Sequence, residues 1–279
     1  MKFSILIANY NNGKYFRECY DSVMAQEYPN WEAVILDDAS TDDSVRVIKN
    51  IIKDDRRFRF FENSVNSGVG ITKSRLIDLA EGDVCGFVDP DDAITPTAIS
   101  SSIKNFQEKE VVLTYSVFMS CDENLQPLSP FRTRQVKNND RCFFNYPIQI
   151  AHFVCFDRKV YLQTEKMNTA MKIAEDQDLY LKMYEKGKVK FINEVNYLYR
   201  LHSGGISQND NKQQSYEYFA KVIFLAMKRR NLTKINGRDI PDEYTRSKDI
   251  YNLLEYQHSI PYRIKKKISI FAQQIFGSW

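Results

Sequence analysis

Short apolar runs alternating with stretches of helical periodicity govern what residues 1–95 of this chain can become. Phe3–Ala8, Ala33–Leu36, Phe58–Phe61 and Val84–Val88 are largely apolar segments of strand length, the pattern of strands covered on both faces. A helix is expected after Asn11 or Asn12, either of which can serve as N-cap, with Phe16, Tyr20, Val23 and Met24 on one face. Thr41–Ile52 and Gly70–Leu79 read as the next two helices. Strands that alternate with helices build βαβ units, so the expected class is α/β with a Rossmann-like, mainly parallel sheet. Ligands of such sheets sit beyond the carboxyl ends of the strands. Three polar clusters fall there: Asn9-Tyr10-Asn11, Asp37-Asp38, and Asp89 to Asp92.

Beyond Pro96 the pattern is less regular. Val111–Phe118, Ala151–Phe156 and Val195–Arg200 read as strands, and Asp176–Glu185 as a helix stopped by Gly187. Asp122–Asn145 is polar and loop-like, with Pro127, Pro130 and the cations Arg132, Arg134 and Lys137. Gln213–Arg230 has the periodicity of an amphipathic helix, and the remainder is a helical or irregular appendage. A chain of 279 residues can bury one large domain plus an appendage. Five cysteines without a CxxC pair suggest neither a disulfide framework nor a zinc site. Together with an apolar N-terminal run too short for a secretion signal or a membrane span, they make the cytoplasm the expected location.

The carboxylates carry the chemistry. Asp89, Asp91 and Asp92 repel one another unless a cation sits among them, and alternate residues of an extended turn can aim two carboxylates at Mg²⁺ or Mn²⁺ bound jointly with a diphosphate. A solvated acidic turn, with Pro90 forming the bend and Asp92 a cap, is the other reading of the same residues. Asp37-Asp38 at a strand end can accept a hydrogen bond from a base N–H or a ribose hydroxyl, while Ser40, Thr41 or Asp42 caps the helix that follows.

The segment SILIANYNNGKYFRECYDSVMAQEYPNWEAVILDDASTDDS, followed by NSGVGITKSRLIDLAEGDVCGFVDPDD, resembles the opening of family-two glycosyltransferases with the GT-A fold. The resemblance is close over roughly the first hundred residues and looser to Ser207. It implies a GT-A domain over residues 1–210, with a nucleotide-sugar-binding half at 1–95 and an acceptor and catalytic half at 96–210, and a helical extension at 211–279. It also implies an inverting enzyme that uses Mn²⁺ or Mg²⁺ and a nucleotide sugar, usually of uridine diphosphate, to glycosylate a glycan or lipid-linked acceptor.

Carried over by position, Tyr10 would flank the nucleobase and Asp38 bond it, beside Ala8-Asn9, which stand where Pro-Thr is usual. Asp89 would face the ribose, the donor sugar or the metal, and Asp91 would ligate the metal with Asp92 as a helper. Lys73 stands at an Arg position and Ser74 at an Asn position, so Lys73 would meet the diphosphate without the bidentate fork of arginine. Ala174-Glu175-Asp176 resembles the Glu-Asp motif, in which Glu175 would support Asp176 as general base. Acids at a helix N-terminus are also favoured by the dipole alone. Tyr199-Arg200-Leu201-His202 through Ser207 resembles a loop closing on the donor, with Arg200 on phosphate, His202 on metal or phosphate, and Gly204 and Gly205 for close backbone approach. His152 and His258 lack such context and read as structural or surface residues.

Two rivals remain from other classes. A sugar-phosphate nucleotidyltransferase would consume a nucleoside triphosphate, yet the chain lacks a Gly-rich nucleotidyl-transfer signature. A non-catalytic sugar-nucleotide or glycan-binding protein would lack the base carboxylate. No nucleic-acid partner is expected: the net charge is only +3, and Arg263, Lys265, Lys266 and Lys267 supply four cations to an acid-free tail. Ile264, Ile268, Phe271, Ile275 and Trp279 share a helical face there. That pattern suits peripheral contact of 262–279 with anionic lipid, and equally a helix packed on the body or on a second subunit of an oligomer.

Overall fold

The computed structural model describes residues 1–53, 55–145, 150–202, 212–261, 263–265 and 267–268. The chain divides into two compact units, one of residues 1–138 with 150–203 and one of 139–149 with 204–279.

The first unit opens with β1 (Phe3–Asn9), α1 (Phe16–Met24), β2 (Trp31–Asp37), α2 (Ser44–Ile52), β3 (Phe58–Glu62), α3 (Val69–Leu79) and β4 (Val84–Phe87). This is the alternation expected from the apolar runs. It continues through β5 (Ala93–Ile94), α4 (Ala98–Asn105), β6 (Val111–Cys121), β7 (Pro127–Phe131), β8 (Cys155–Asp157), α5 (Arg158–Tyr161), α6 (Glu175–Tyr184) and β9 (Lys188–Arg200). Among the described residues the strands form one sheet in the order β3-β2-β1-β4-β8-β6-β9-β5, with β7 paired to β6. β3, β2, β1 and β4 run parallel, β8 runs against both its neighbours, and β6 and β9 are parallel. The chain winds outward from β1 to β3 and returns to β4 on the other side of β1. This reversal is a topological switch, at which the carboxyl ends of neighbouring strands open a crevice.

Side chains alternate across β1 and β2. Phe3, Ile5, Ile7, Ala33 and Ile35 bury one face against Phe16, Cys19 and Val23 of α1, Ile48 and Ile52 of α2, and Ile99 and Ile103 of α4. Each large aliphatic group so buried contributes about 1.5–3 kcal/mol. On α1 the buried row is Phe16, Cys19 and Val23, whereas Met24 is exposed.

Several local expectations change. Neither asparagine caps α1: Asn12 makes no side-chain cap bond, and Asn11, at φ 55, instead accepts from the Thr41 amide at 2.8 Å. The polar stretch after Asp122 contains β7, whose prolines sit on a strand paired on one side only. Gly187 does not have a positive φ; a Cβ there would lie 2.5 Å from Val112, so close approach of chains requires the glycine.

The second unit contains α7 (Lys212–Arg229), β10 (Lys234–Ile235), β11 (Arg238–Asp239), α8 (Ser247–Tyr251) and α9 (Glu255–His258). Glu217 gathers the Tyr244 hydroxyl and both the amide and hydroxyl of Ser247, which fastens α8 to α7. The Gly204–Ser207 loop and most of the expected basic tail lie outside the described residues; its described members Arg263, Ile264, Lys265, Lys267 and Ile268 are exposed. No described helix is long and apolar enough to cross a membrane.

One buried polar knot ties the sheet together on the first unit. Glu32, 3% exposed, accepts from the Ser4 hydroxyl at 2.6 Å, the Glu81 amide at 2.7 Å, and the Lys2 and Arg59 cations at 3.1 Å each. Burial alone would raise its pKa, but these donors outweigh it and hold the carboxyl below its ordinary value. A depressed folded pKa contributes stability above the unfolded value and loses it as pH falls through the folded one. Glu32→Gln is therefore expected to cost about 1–3 kcal/mol at neutral pH and to weaken the acid-side decline in stability, as read by urea titrations at neutral pH and below about pH 4.

Candidate active site

The parallel strands deliver Asn9, Asp37 and the turn after β4 to one edge of the sheet. Asp37 and Asp38 then do different work. Asp37 is fully buried and accepts from Asn9 Nδ2 at 2.6 Å and from the Ser40 amide and hydroxyl at 2.7 Å each. It closes the turn in which Ala39 takes φ 59. Asp38, 4% exposed, accepts from Asn63 Nδ2 at 2.6 Å and the Ser67 amide at 2.9 Å on one oxygen, and from the Gly68 amide at 2.8 Å on the other. It thereby fastens the start of α3. A carboxylate offers about four acceptor directions, so Asp38 keeps one beyond these three. Tyr10, 44% exposed, and half-buried Ala8 flank Asn9 at the end of β1.

The acidic turn is gripped by the end of β9. Asp89 donates its amide to the Tyr197 hydroxyl at 3.1 Å, and Asp92 accepts from the Arg200 amide at 2.8 Å. The Arg200 guanidinium is expected on phosphate; here it is 2% exposed, with Nε donating to the Asp91 carbonyl at 2.6 Å and Nη1 to the Glu123 carbonyl. What Arg200 holds directly is the backbone of the turn. His202 Nε2 lies 2.7 Å from Asp91 Oδ2. Burial, then the charge of Asp89, pushes Asp91 up from its ordinary pKa, and Asp92 is pushed up further by burial with Asp89 and Asp91.

This surplus of negative charge, with a hard oxygen and an imidazole nitrogen side by side, fits a divalent cation such as Mn²⁺. Among the described residues no three acid, His or Cys side chains converge as a metal cage. Asp89, expected as a further ligand, does not complete a set with Asp91 and His202. Two protein ligands suit a cation that shares its shell with diphosphate and water.

A second group gathers within electrostatic reach of Asp89. Lys73 Nζ meets Glu175 Oε1 at 2.8 Å and lies 5.3 Å from the centre of the Phe87 ring. Burial would lower the Lys73 pKa, but Glu175, Asp89 and Asp176 together raise it, so the ammonium stays charged. Asp176, half-buried in the first turn of α6, is pushed up to about 6 by burial and the Glu175 charge, against the pull of Lys73. The residue before the helix, Ala174, takes φ 64, a left-handed conformation that costs a non-glycine residue about 1–2 kcal/mol. Asp178 is turned into the interior and bonded by Lys182 at 2.6 Å, a structural pair.

His152, read as a structural or surface residue, lies within electrostatic reach of this cluster. It is half-buried, stacked on Tyr197 at 4.8 Å, and feels the charges of Asp89, Lys73 and Glu175. Burial lowers its pKa, which favours the neutral ring. His258 is exposed on α9.

Residues 4–163 match the model of glycosyl transferase family 2. The chain belongs to this family. It is 28% identical over 232 residues to a chondroitin synthase of Escherichia coli, covering 83% of this chain and 33% of that protein. It is also 28% identical over 283 residues to a hyaluronan synthase of Pasteurella multocida, covering 97% of this chain and 28% of that protein. The chain thus spans a third or less of these two relatives. Residues 1–349 of S. aureus TarS in complex with UDP-GlcNAc superpose with a TM-score of 0.67 at 17% identity, covering 98% of this chain and 78% of that one. The curled, mainly parallel sheet with its helices is the GT-A fold of this glycosyltransferase family.

The raised pKa of Asp176 has a consequence for stability. The folded state binds this proton more tightly than the unfolded one, so stability rises as pH falls from about 6 towards 3.8 and is lower at neutral pH, where the carboxylate is ionised. Asp176→Asn removes that cost and is expected to raise the melting temperature at neutral pH by a few degrees, the effect of about 1–2 kcal/mol after allowance for partial exposure. Differential scanning calorimetry of the two proteins checks it.

Proposed function

We propose that this glycosyltransferase moves a sugar, with inversion, from a uridine diphosphate sugar to a hydroxyl group of a glycan or lipid-linked acceptor in bacterial polysaccharide synthesis. The observation that carries the reading is the half-buried carboxylate of Asp176, raised to about 6 and linked electrostatically through Asp89 to the Asp91 turn. The names of the chondroitin and hyaluronan synthases, and of a structure holding UDP-GlcNAc, support the substrate class.

The base of the donor packs on Tyr10, next to the small Ala8, and donates its N–H to the acceptor direction that Asp38 retains. Asp89 faces the ribose or the donor sugar. Asp91 and His202 would hold a divalent cation, which would supply Lewis-acid stabilisation to the departing diphosphate. Arg200 serves that end of the donor indirectly, by fixing the Asp91 carbonyl. Lys73 keeps its charge near the same region and holds Glu175 so that Asp176 is free to act. Asp176 takes the proton from the acceptor hydroxyl as that oxygen attacks the anomeric carbon from the face opposite the diphosphate. A base pKa of about 6 keeps the group ionised at neutral pH while leaving it more basic than an ordinary aspartate.

A panel of nucleotide sugars with Mn²⁺, read by protection against thermal unfolding and by release of nucleoside diphosphate, tests the assignment. A uridine diphosphate sugar is expected to protect and to release uridine diphosphate; indifference to every donor would end the proposal. With the productive donor and acceptor, kcat/KM should fall tenfold per unit below about pH 6, because the base must be ionised. Asp176→Asn should lower kcat by about 10²–10⁴-fold while donor binding persists.

A further inference from the structure

We infer that Tyr15 is a positioning residue for the Asp91–His202 pair and, through it, for the divalent cation; the inference rests on the metal reading above. Tyr15 ends the short 3-10 turn Gly13–Tyr15 that follows β1. Its ring meets the His202 imidazole with centroids 4.8 Å apart and the Arg200 guanidinium at 4.7 Å, with the Lys14 ammonium at 4.6 Å. Arg200 and His202 are two residues apart on one segment, and each grips Asp91 by a different atom. Arg200 holds its carbonyl, and His202 its Oδ2. One aromatic ring therefore abuts both hands laid on the same aspartate.

The ring is itself held in place. Gly13 donates its amide to the Ser44 hydroxyl at 2.8 Å, and a Cβ on Gly13 would come within 2.5 Å of the Ser44 backbone. Phe16, the next residue after Tyr15, is fully buried in the core. Anchored on both sides, Tyr15 has little freedom to move, whereas His202 lies past the last paired residue of β9. A metal ligand gains affinity when its ring orientation is fixed before binding, and loss of such support typically costs 10–100-fold. The Tyr15 hydroxyl makes no hydrogen bond among the described residues, so the aromatic face is the part that acts. The attraction of the Arg200 cation to the same ring adds to its hold on the segment.

The experiment compares the full chain with Tyr15→Phe, Tyr15→Leu and Tyr15→Met, titrating Mn²⁺ in the presence of uridine diphosphate and reading free Mn²⁺ by electron paramagnetic resonance. Tyr15→Phe is expected to stay within about twofold of the parent, and Leu and Met to weaken Mn²⁺ by roughly tenfold or more, with melting temperatures measured alongside. Tyr15→Met removes the ring but keeps an unbranched, adaptable side chain that can fill the gap differently from leucine, so a Leu variant that fails to fold leaves the comparison intact. Parent-like Mn²⁺ affinity in the non-aromatic variants overturns the inference, as does a Phe variant as weak as Leu. A parent protein that binds uridine diphosphate but not Mn²⁺ overturns the metal reading itself, separately from the role of Asp176.

Discussion

Three carboxylates within four residues, at the end of a buried strand, are the constraint around which this molecule is arranged. Left to themselves Asp89, Asp91 and Asp92 would repel one another or bind protons, and burial, joined by that repulsion, pushes Asp91 and Asp92 up. The relief comes from β9. That strand runs beside β6 and β5 and ends where Tyr197, Arg200 and His202 can each take hold of a different part of the turn. None of these contacts neutralises the cluster fully. A site that keeps a negative surplus in a partly dry environment is suited to a cationic ligand, and the same surplus reaches Asp176 through Asp89.

The parallel half was legible in the sequence because its strands are covered on both faces. Continuous apolar runs such as Phe3–Ala8 and Ala33–Leu36 leave little ambiguity, and turn residues mark where they stop. Asp38, Asp91 and Asp176 stand out in the sequence as candidates because the motifs around them are ordered along the chain at suitable spacing. The second half was legible only in part: the expected strands at Val111–Phe118, Ala151–Phe156 and Val195–Arg200 overlap β6, β8 and β9, whereas β5, β7 and α5 left no clear signal. β7 carries Pro127 and Pro130, which argue against a strand unless it is paired on one side only, and α5 has too few residues for periodicity to register.

Some roles depend on geometry that spacing cannot encode. Arg200 looks like a phosphate ligand in sequence, but its guanidinium bonds backbone carbonyls from Asp91 and Glu123, partners that only the fold brings near. His152 stands in an apolar stretch with no motif, and its approach to Asp89 follows from the antiparallel pairing of β4 with β8. Asn63, which anchors Asp38, likewise follows β3 without any local signal.

The fastening of α3 by Asp38 links two ends of the crevice. The carboxylate that holds the Gly68 amide sits at the foot of the helix, and Lys73, five residues on, holds Glu175 beside Asp176. At a rise of about 1.5 Å per residue, those two points are roughly 7–8 Å apart along a rigid rod. Whatever tugs on the foot of that rod turns its ammonium with it. On the proposed reading, donor recognition at one end and proton transfer at the other would share a single lever.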